Sequence, residues 1–254
     1  MKLRILGCGT SSGVPRIGND WGACDPAEPR NRRMRMAALV EHGDTRILID
    51  TGPDMREQLL AANVATVDAV LWTHDHADHC HGIDDLRQIF HALGEPVSGY
   101  ARPATAASLE NRFGYVFHGK TGYPPTATMT ELGDSLTIGD IHIRTVDQPH
   151  GRTRSAGFRF ECDGKSIGYA TDFHELTPEM AALYRDLDIW IVDALRRHPH
   201  PAHADLPSVL DWIAMLRPRQ SVLIHMDQSM DYATLRRELP DGVEPAYDGM
   251  DLIP

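Results

Sequence analysis

Three histidines and two aspartates lie within six residues of the chain, and their types and spacing are typical of a metal site. His74 and His76 are two residues apart, so in an extended segment their side chains point the same way and can share one ion. Asp78 and His79 follow where such a loop tightens into a helix, and they can reach a second ion. Imidazole and carboxylate ligands suit zinc, manganese or iron. The segment therefore predicts a two-metal site, in preference to a polar loop that only contacts solvent.

Six residues cannot complete two coordination spheres, so further ligands must come from distant parts of the chain. His150, Asp172 and His225 each follow a short apolar run of the kind that forms strands. One histidine at a strand end is usually structural, but three such residues together with the first cluster favour a shared centre. Asp50 and Asp193 also end apolar runs, and a carboxylate that accepts the N–H of a ligating histidine fixes its tautomer. We expect both to support ligands, although Asp193 also fits an ordinary turn.

Alternating strands and helices must position these side chains. The predicted strands are 2–7, 36–42, 46–50, 68–72, 97–100, 135–138, 141–147, 156–161, 166–171, 188–193 and 220–224, and the predicted helices are 54–62, 84–93, 103–113, 177–185, 206–216 and 230–238. The pairs Gly43-Asp44 and Asp163-Gly164, each between apolar runs, predict hairpin turns. Strands that first form hairpins and then alternate with helices favour two packed sheets with helices outside. The predicted fold class is α/β (α+β), in one domain over residues 1–254.

These residues and their order resemble the metallo-β-lactamase superfamily over nearly the whole chain. The resemblance rests on Ile47–Gly52, Thr73–His79, and then His150, Asp172 and His225 in the order and approximate spacing of that family. It implies a four-layer αββα sandwich. It also implies that one ion is bound by three histidines, that a second ion is bound by one aspartate and two histidines, and that one carboxylate bridges both. The resemblance gives the first ion His74, His76 and His150 and the second ion Asp78, His79 and His225, and it gives Asp172 as the bridging carboxylate.

Two details separate branches of the superfamily. A zinc β-lactamase usually has cysteine where Asp172 stands, and a flavodiiron protein has glutamate where His76 stands, so neither branch fits well. The carboxylate bridge and the all-histidine first triplet are similar to ribonuclease Z and to the cyclic phosphodiesterase of phosphonate degradation. The segments Gly7–Pro15 and His200–Leu206 look most like the phosphodiesterase group. The resemblance thus implies a hydrolase of phosphate diesters, of small cyclic or nucleotide-like substrates in particular.

Hydrolysis by such a site needs a nucleophile and a proton donor. A hydroxide between two divalent ions about 3.5–4 Å apart is a strong nucleophile at neutral pH. Asp172 would bridge those ions and is therefore counted with the catalytic residues. The resemblance implies His203 as the general acid that protonates the leaving group, and a histidine can titrate near neutrality. His198 and His200 are nearby rivals, and a loop histidine without a role is the remaining alternative for His203.

The formal net charge of −11 argues against long nucleic acids as partners, because they need a broad basic face. It does not disfavour a small phosphate ester, since two divalent ions leave the site itself positive. Arg33 lies in the basic run 30–35, which predicts either a phosphate-binding rim or an ordinary solvated helix end or loop. His118 and Tyr123 lie in the segment 115–124, which could stack on a base or sugar or merely connect two elements.

The four cysteines are scattered along the chain, which favours a reduced, cytoplasmic protein. No apolar window is long enough to span a membrane, and the start of the chain lacks the apolar core of a signal peptide. The sequence leaves open whether the protein forms a homodimer.

The phosphodiesterase group has a structural zinc site made by a cysteine cluster and by a histidine shortly after the last ligand. In this chain Cys24 stands alone, and Gln228 stands three residues after His225. We therefore expect no structural zinc and a metal content that saturates at two ions per chain.

Three rival functions remain at this point. A ribonuclease Z-like enzyme normally needs an RNA-gripping arm, for which the chain shows no basic insertion. A thioester hydrolase of the glyoxalase II kind could use the same ligands, and a glutathione-thioester assay separates it. A binding module could keep the metals and sense a nucleotide without turning it over.

Overall fold

Two seven-stranded sheets lie face to face in the computed structural model, which describes residues 1–254. The first sheet contains β1 (Lys2–Gly7), β2 (Ala37–His42), β3 (Thr45–Ile49), β4 (Ala69–Trp72), β5 (Val97–Ala101), β6 (Ala127–Glu131) and β14 (Asp251–Leu252). The second sheet contains β7 (Ser135–Ile138), β8 (Ile141–His150), β9 (Thr153–Cys162), β10 (Lys165–Ala170), β11 (Ile189–Asp193), β12 (Gln220–Ile224) and β13 (Val243–Pro245). The strand orders are β14-β1-β2-β3-β4-β5-β6 and β13-β12-β11-β10-β9-β8-β7.

Seven α-helices and two short 3-10 turns connect these strands. The helices are α1 (Met55–Ala62), α2 (Ala77–Cys80), α3 (Leu86–Leu93), α4 (Pro103–His118), α5 (Pro178–Tyr184), α6 (Leu206–Leu216) and α7 (Tyr232–Glu238), and the 3-10 turns are Pro29–Asn31 and Ile83–Asp85. Thr177 and Asp205 cap α5 and α6 by accepting backbone N–H groups, and each of these helices has a proline in its first turn. No helix is long and apolar enough to cross a membrane.

Alternating side chains of the first sheet fill two separate cores. In β3, Ile47 and Ile49 belong to the cluster between the sheets, where they join Phe158 of β9. Leu48 points the other way and packs in a cluster that includes Leu109 of α4. Successive side chains of a strand face opposite sides, so a strand with both sides covered is a continuous apolar run. Helices on the outer faces and two sheets inside confirm the αββα sandwich.

The predicted elements are all present, and the differences lie at edges and ends. The short strands β13 and β14 and the exposed β6 were not predicted, because two or three residues, or an exposed polar strand, carry little apolar signal. Both predicted hairpin turns occur, between β2 and β3 and between β9 and β10. Helix α4 continues past a kink at Phe113 to His118, so residues 115–118, expected in a loop, are helical.

One edge of the sandwich collects the ends of the strands that precede the predicted ligands. The pairs β3–β4, β10–β11 and β11–β12 are parallel, so these strands all end at the same edge of their sheets. Strand β8 runs in the same direction as β10, because both are antiparallel to β9. The fold therefore brings His74 and His225, which are 151 positions apart in the sequence, to the same edge of the sandwich.

Candidate metal centre

The seven predicted ligands converge at this edge in two groups. The first group is His74, His76, His150 and Asp172, and the second group is Asp78, His79 and His225. Within each group the ligand atoms all lie within 4.8 Å of one another. All are buried except His76, whose exposed ring lies beside the buried one of His150, with 4.9 Å between the ring centroids. The division into two groups is the one that the superfamily resemblance implies.

Asp172 lies between the two groups and presents one oxygen to each. Its Oδ1 is 3.8 Å from Nε2 of His74 and 3.6 Å from Nε2 of His150. Its Oδ2 is 3.2 Å from Nε2 of His79 and 3.5 Å from Nε2 of His225. These separations suit atoms that share a metal ion better than atoms that share a proton. The carboxylate is thus placed where a bridging ligand must be.

Backbone conformation turns several of these side chains towards the centre. Asp50, Asp172 and His225 follow β3, β10 and β12, and each has a positive φ, of 65°, 56° and 58°. Residues other than glycine rarely adopt this left-handed region, and those that do cluster at functional sites. Three such residues at three strand ends indicate that the sheet edges are built around the centre.

The hydrogen bonds of two histidine Nδ1 atoms turn the Nε2 atoms towards the centre, where that of His150 lies 3.2 Å from Nδ1 of His76. Nδ1 of His79 is 2.7 Å from a carboxylate oxygen of Asp50, and Nδ1 of His150 is 2.7 Å from the carbonyl oxygen of Ala202. A neutral imidazole that donates from Nδ1 has its lone pair on Nε2. Nε2 of His74, His79 and His225 is buried without any hydrogen-bond partner. Each unsatisfied buried group costs about 1–3 kcal/mol, so the donor set fits divalent metal ions.

Electrostatics at the centre favour a cation. Burial lowers the pKa of His74 well below its ordinary value, which keeps this ring neutral and able to bind metal. Burial also opposes charge on His79, but the attraction of Asp172, Asp78 and Asp50 outweighs it and raises the pKa of His79. Burial likewise works against ionised Asp172, yet the surrounding histidines hold its pKa well below the usual range. The Asp172 carboxylate is therefore charged at neutral pH.

Asp193 holds the predicted general acid and the bridging residue together. One carboxylate oxygen, Oδ2, lies 2.9 Å from Nδ1 of His203 and 3.1 Å from the backbone N–H of Asp172. The His203 ring stacks on that of His225, with 4.7 Å between centroids. Its side chain is 13% exposed, so the ring is not fully enclosed by the protein. His200 lies next to His203, at 5.1 Å between rings.

Some supporting residues were not singled out by the sequence. Thr73 donates its hydroxyl to Asp50 and contacts Nδ1 of His74 at 3.0 Å. On α4, Ser108 donates to the side chain of Asp75 at 2.5 Å, and Arg112 donates to the Asp75 carbonyl oxygen. A hydroxyl residue directly before the first histidine was a usable signal, whereas contacts from α4, more than 30 residues away, were not.

Two of the predicted substrate-binding residues, His118 and Tyr123, lie away from the metal centre. His118 has a 66% exposed side chain near Glu110, and Tyr123 is an exposed wall of a pocket of about 460 Å³. The pocket lies between α3 and the end of α4, and no predicted metal ligand lines it. The structure does not bring His118 or Tyr123 to the centre, so their role in substrate binding stays a prediction.

The prediction that Arg33 forms a phosphate-binding rim is wrong. The residue is only 2% exposed, and its guanidinium donates to the carbonyl oxygens of Met230, at 2.6 Å, and Asp227, at 3.2 Å. A guanidinium that satisfies buried carbonyl groups cannot also bind a substrate phosphate. It instead ties the 24–33 segment to the loop that follows His225.

This buried role predicts a large loss of stability in Arg33→Ala. Unsatisfied carbonyl groups and a cavity should lower the free energy of unfolding by about 3 kcal/mol, measured by urea denaturation. The matched control is Arg32→Ala, since the neighbouring side chain is exposed and stacks only on Trp21. A cost below about 0.5 kcal/mol for Arg33→Ala, equal to that of the control, would contradict the assigned contacts.

Comparisons with known proteins agree with this geometry. The model of the β-lactamase superfamily domain matches residues 45–226. An octanoyltransferase of Porphyromonas gingivalis is 31% identical over an alignment 263 positions long, which covers 100% of this chain and 51% of that protein. A ribonuclease Z of Bradyrhizobium sp. is 30% identical over 137 residues, 52% of this chain and 46% of that protein. The chain spans about half the length of these curated relatives.

A solved structure extends the match to the whole chain. It is a diphosphatase of the PhnP family, 33% identical in sequence, with a TM-score of 0.90 over 99% of this chain and 96% of that one. The sequence family, the αββα sandwich and the histidine and aspartate cluster at its edge agree with one another. The chain therefore belongs to the metallo-β-lactamase superfamily of metal-dependent hydrolases.

Proposed function

We propose that this protein is a two-metal phosphodiesterase that hydrolyses a small cyclic or nucleotide-like phosphate diester. The observation that carries the proposal is the position of Asp172, with one oxygen towards each group of ligands. The proposal includes zinc or manganese as the native metal, a cytoplasmic location and no long nucleic acid as a partner. The whole-chain similarity to a diphosphatase supports chemistry at phosphorus.

Different residues of the chain would bind the metal ions, donate the proton and orient the ligands in such a reaction. Two divalent ions bound by the seven ligands would supply Lewis acidity towards phosphoryl oxygens and a water molecule of lowered pKa. His203 would donate a proton from Nε2 to the leaving oxygen, because its Nδ1 is held by Asp193. Asp193 stabilises the charged ring before the proton is transferred. Asp50 keeps His79 in the orientation that turns Nε2 to the centre.

Cationic side chains beside the centre suit a phosphate substrate. A groove of about 1600 Å³ runs along the metal loop, where Thr73 and Asp75 line it, and along the β8–β9 turn, where Arg152 and Arg154 line it. Both arginines are exposed, and the turn directly follows the predicted ligand His150. None of the seven predicted ligands lines the groove, and Asp134, Asp147 and Glu179 line it as well. A substrate phosphate group would therefore meet positive charge at the arginines next to His150, without any contact from Arg33.

The proposal is tested by assaying the protein, loaded with zinc or manganese, on bis(p-nitrophenyl) phosphate and on cyclic nucleotides. We expect saturable release of product that is lost in His79→Ala. The matched control His142→Ala should keep its activity, since this histidine is exposed on β8 and makes only a weak contact with Thr137. Failure of fully loaded protein to cleave any phosphodiester would overturn the proposal.

A diphosphatase activity is the nearest alternative, favoured by the description of the 33% identical structure. The same ions would serve, but a phosphate leaving group needs little protonation, so the reaction would depend weakly on His203. Parallel assays on a nucleoside diphosphate ester and a phosphodiester separate the two activities by their relative kcat/KM.

An acyl thioester hydrolase is a second alternative, and it too rests on one observation. The whole chain matches about half of a protein described as an octanoyltransferase. Octanoyl thioesters are therefore the test substrates, together with the glutathione thioesters of glyoxalase II chemistry. Hydrolysis of an octanoyl thioester at a higher kcat/KM than any phosphate ester would favour this alternative over the phosphodiesterase. Tight nucleotide binding without product would favour a binding module.

A further inference from the structure

A second cluster of metal-binding side chains lies far from the candidate centre. His42 ends β2, while Cys162 ends β9 and Asp163 begins the turn to β10. Strands β2 and β9 both start at the edge of the sandwich that carries the centre, so their last residues lie at the opposite edge. The three residues offer ligand atoms that all lie within 4.8 Å of one another.

The two sheets meet in this cluster through their hairpin turns. Nε2 of His42, in the first sheet, is 3.5 Å from a carboxylate oxygen of Asp163, in the second sheet. Cys162 is buried at 7% exposure, and the Asp163 side chain is 76% exposed. Asp163 has a φ of 52°, as the tight Asp-Gly turn requires. A thiol, an imidazole and a carboxylate thus face one small space with solvent on one side.

This donor set has a definite metal preference. Sulfur and imidazole ligands select zinc and similar transition metals over magnesium and calcium. Three protein ligands leave one tetrahedral position for water. We propose that His42, Cys162 and Asp163 form a zinc-binding site that joins the two sheets at the edge opposite the candidate centre. Binding forms a sulfur–zinc bond and releases the thiol proton to solvent.

The proposal changes the expected metal content of the chain. The sequence predicted two ions and no structural zinc, because Cys24 has no partners for such a site. The distal site does not use Cys24, and it would add a third ion. Sequence patterns could not reveal it, since His42 and Cys162 are 120 positions apart and meet only when the sheets pack. The site is independent of the activity proposed for the centre.

Cobalt titration tests the distal site by its spectrum. Protein whose centre already holds zinc is titrated with Co²⁺, and the thiolate-to-cobalt charge-transfer absorption is recorded. The predicted ligands of the centre include no cysteine, so cobalt that exchanges into the centre gives no such absorption. We expect one further equivalent to bind with this absorption, and zinc to raise the midpoint of thermal unfolding as a ligand of the folded state should.

Variants assign the signal to the three residues. Cys162→Ser should abolish the charge-transfer absorption, and His42→Gln should weaken cobalt binding at least about tenfold. Cys24→Ser and His142→Gln are matched controls that should leave both unchanged. Hydrolase activity should be the same in all four variants. The site is excluded if wild-type protein takes up no further cobalt, if cobalt binds without the thiolate absorption, or if that absorption persists in Cys162→Ser.

Discussion

Asp172→Ala should lose both metal and activity, and we expect it to show the largest effect of any single substitution. Each oxygen of Asp172 faces a different ligand group, at 3.2–3.8 Å from histidine Nε2 atoms. Without the shared carboxylate, two cations at the centre would repel each other with no common anion between them. Metal affinity should fall at least about a hundredfold, and the hydrolysis rate by at least the same factor.

Elemental analysis after gel filtration and steady-state rates at fixed metal concentration measure both losses. Asp44→Ala is the control, because that carboxylate lies in the exposed β2–β3 turn and should change neither quantity. Circular dichroism of each variant must show the same fold. If Asp172→Ala protein binds two ions at the centre as tightly as the wild type, the carboxylate is not a bridge.

His203→Ala should lose rate while it keeps its metal. His203 is not one of the seven predicted ligands, and its Nδ1 is held by Asp193. Occupancy by both ions should therefore persist, even though its ring can reach within 4.8 Å of ligand atoms of Asp172 and His225. Loss of a proton donor lowers the rate about a hundredfold to ten-thousandfold. The loss should shrink for a leaving group such as p-nitrophenolate, which hardly needs protonation. A substrate with a poor alkoxide leaving group should show the full loss of rate.

The comparison of leaving groups separates His203 from its rivals. His198→Ala is the matched control, since that side chain is exposed and its contact with Arg196 uses only the backbone carbonyl. If His203→Ala lowers the hydrolysis rate equally for good and poor leaving groups, His203 positions the substrate and does not donate the proton. A leaving-group effect that appears in His198→Ala or His200→Ala in its place would move the proton donor to that residue.

The sequence predicted the sandwich because its strands carry a strong apolar signal. Runs such as Ile47–Ile49 are buried on both sides, so every residue contributes to the pattern. The ligand candidates followed from chemistry at strand ends, where His150 is the last residue of β8 and Asp172 and His225 follow β10 and β12. Parallel strands end at one edge, so those residues had to meet. Their assignment to individual ions came from the family resemblance.

Other features depend on packing that a sequence pattern does not record. Arg33 lies in a basic run that predicts an exposed patch, yet it alone of the arginines in that run is buried, because the loop after His225 offers it carbonyl oxygens. The distal cluster of His42 and Cys162 arises only when two hairpins from different sheets meet. Strand β14 is two residues long and exists because β1 offers it a partner.

Phosphodiester hydrolysis at the centre should require both of its ions. Chelator-treated Cys162→Ser protein, in which only the centre should take up ions, is titrated with zinc while the rate on bis(p-nitrophenyl) phosphate is followed. The ligand geometry predicts that the rate rises until two equivalents are bound and is constant thereafter. A rate that reaches its plateau at one equivalent, or no hydrolysis at any zinc content, would contradict it.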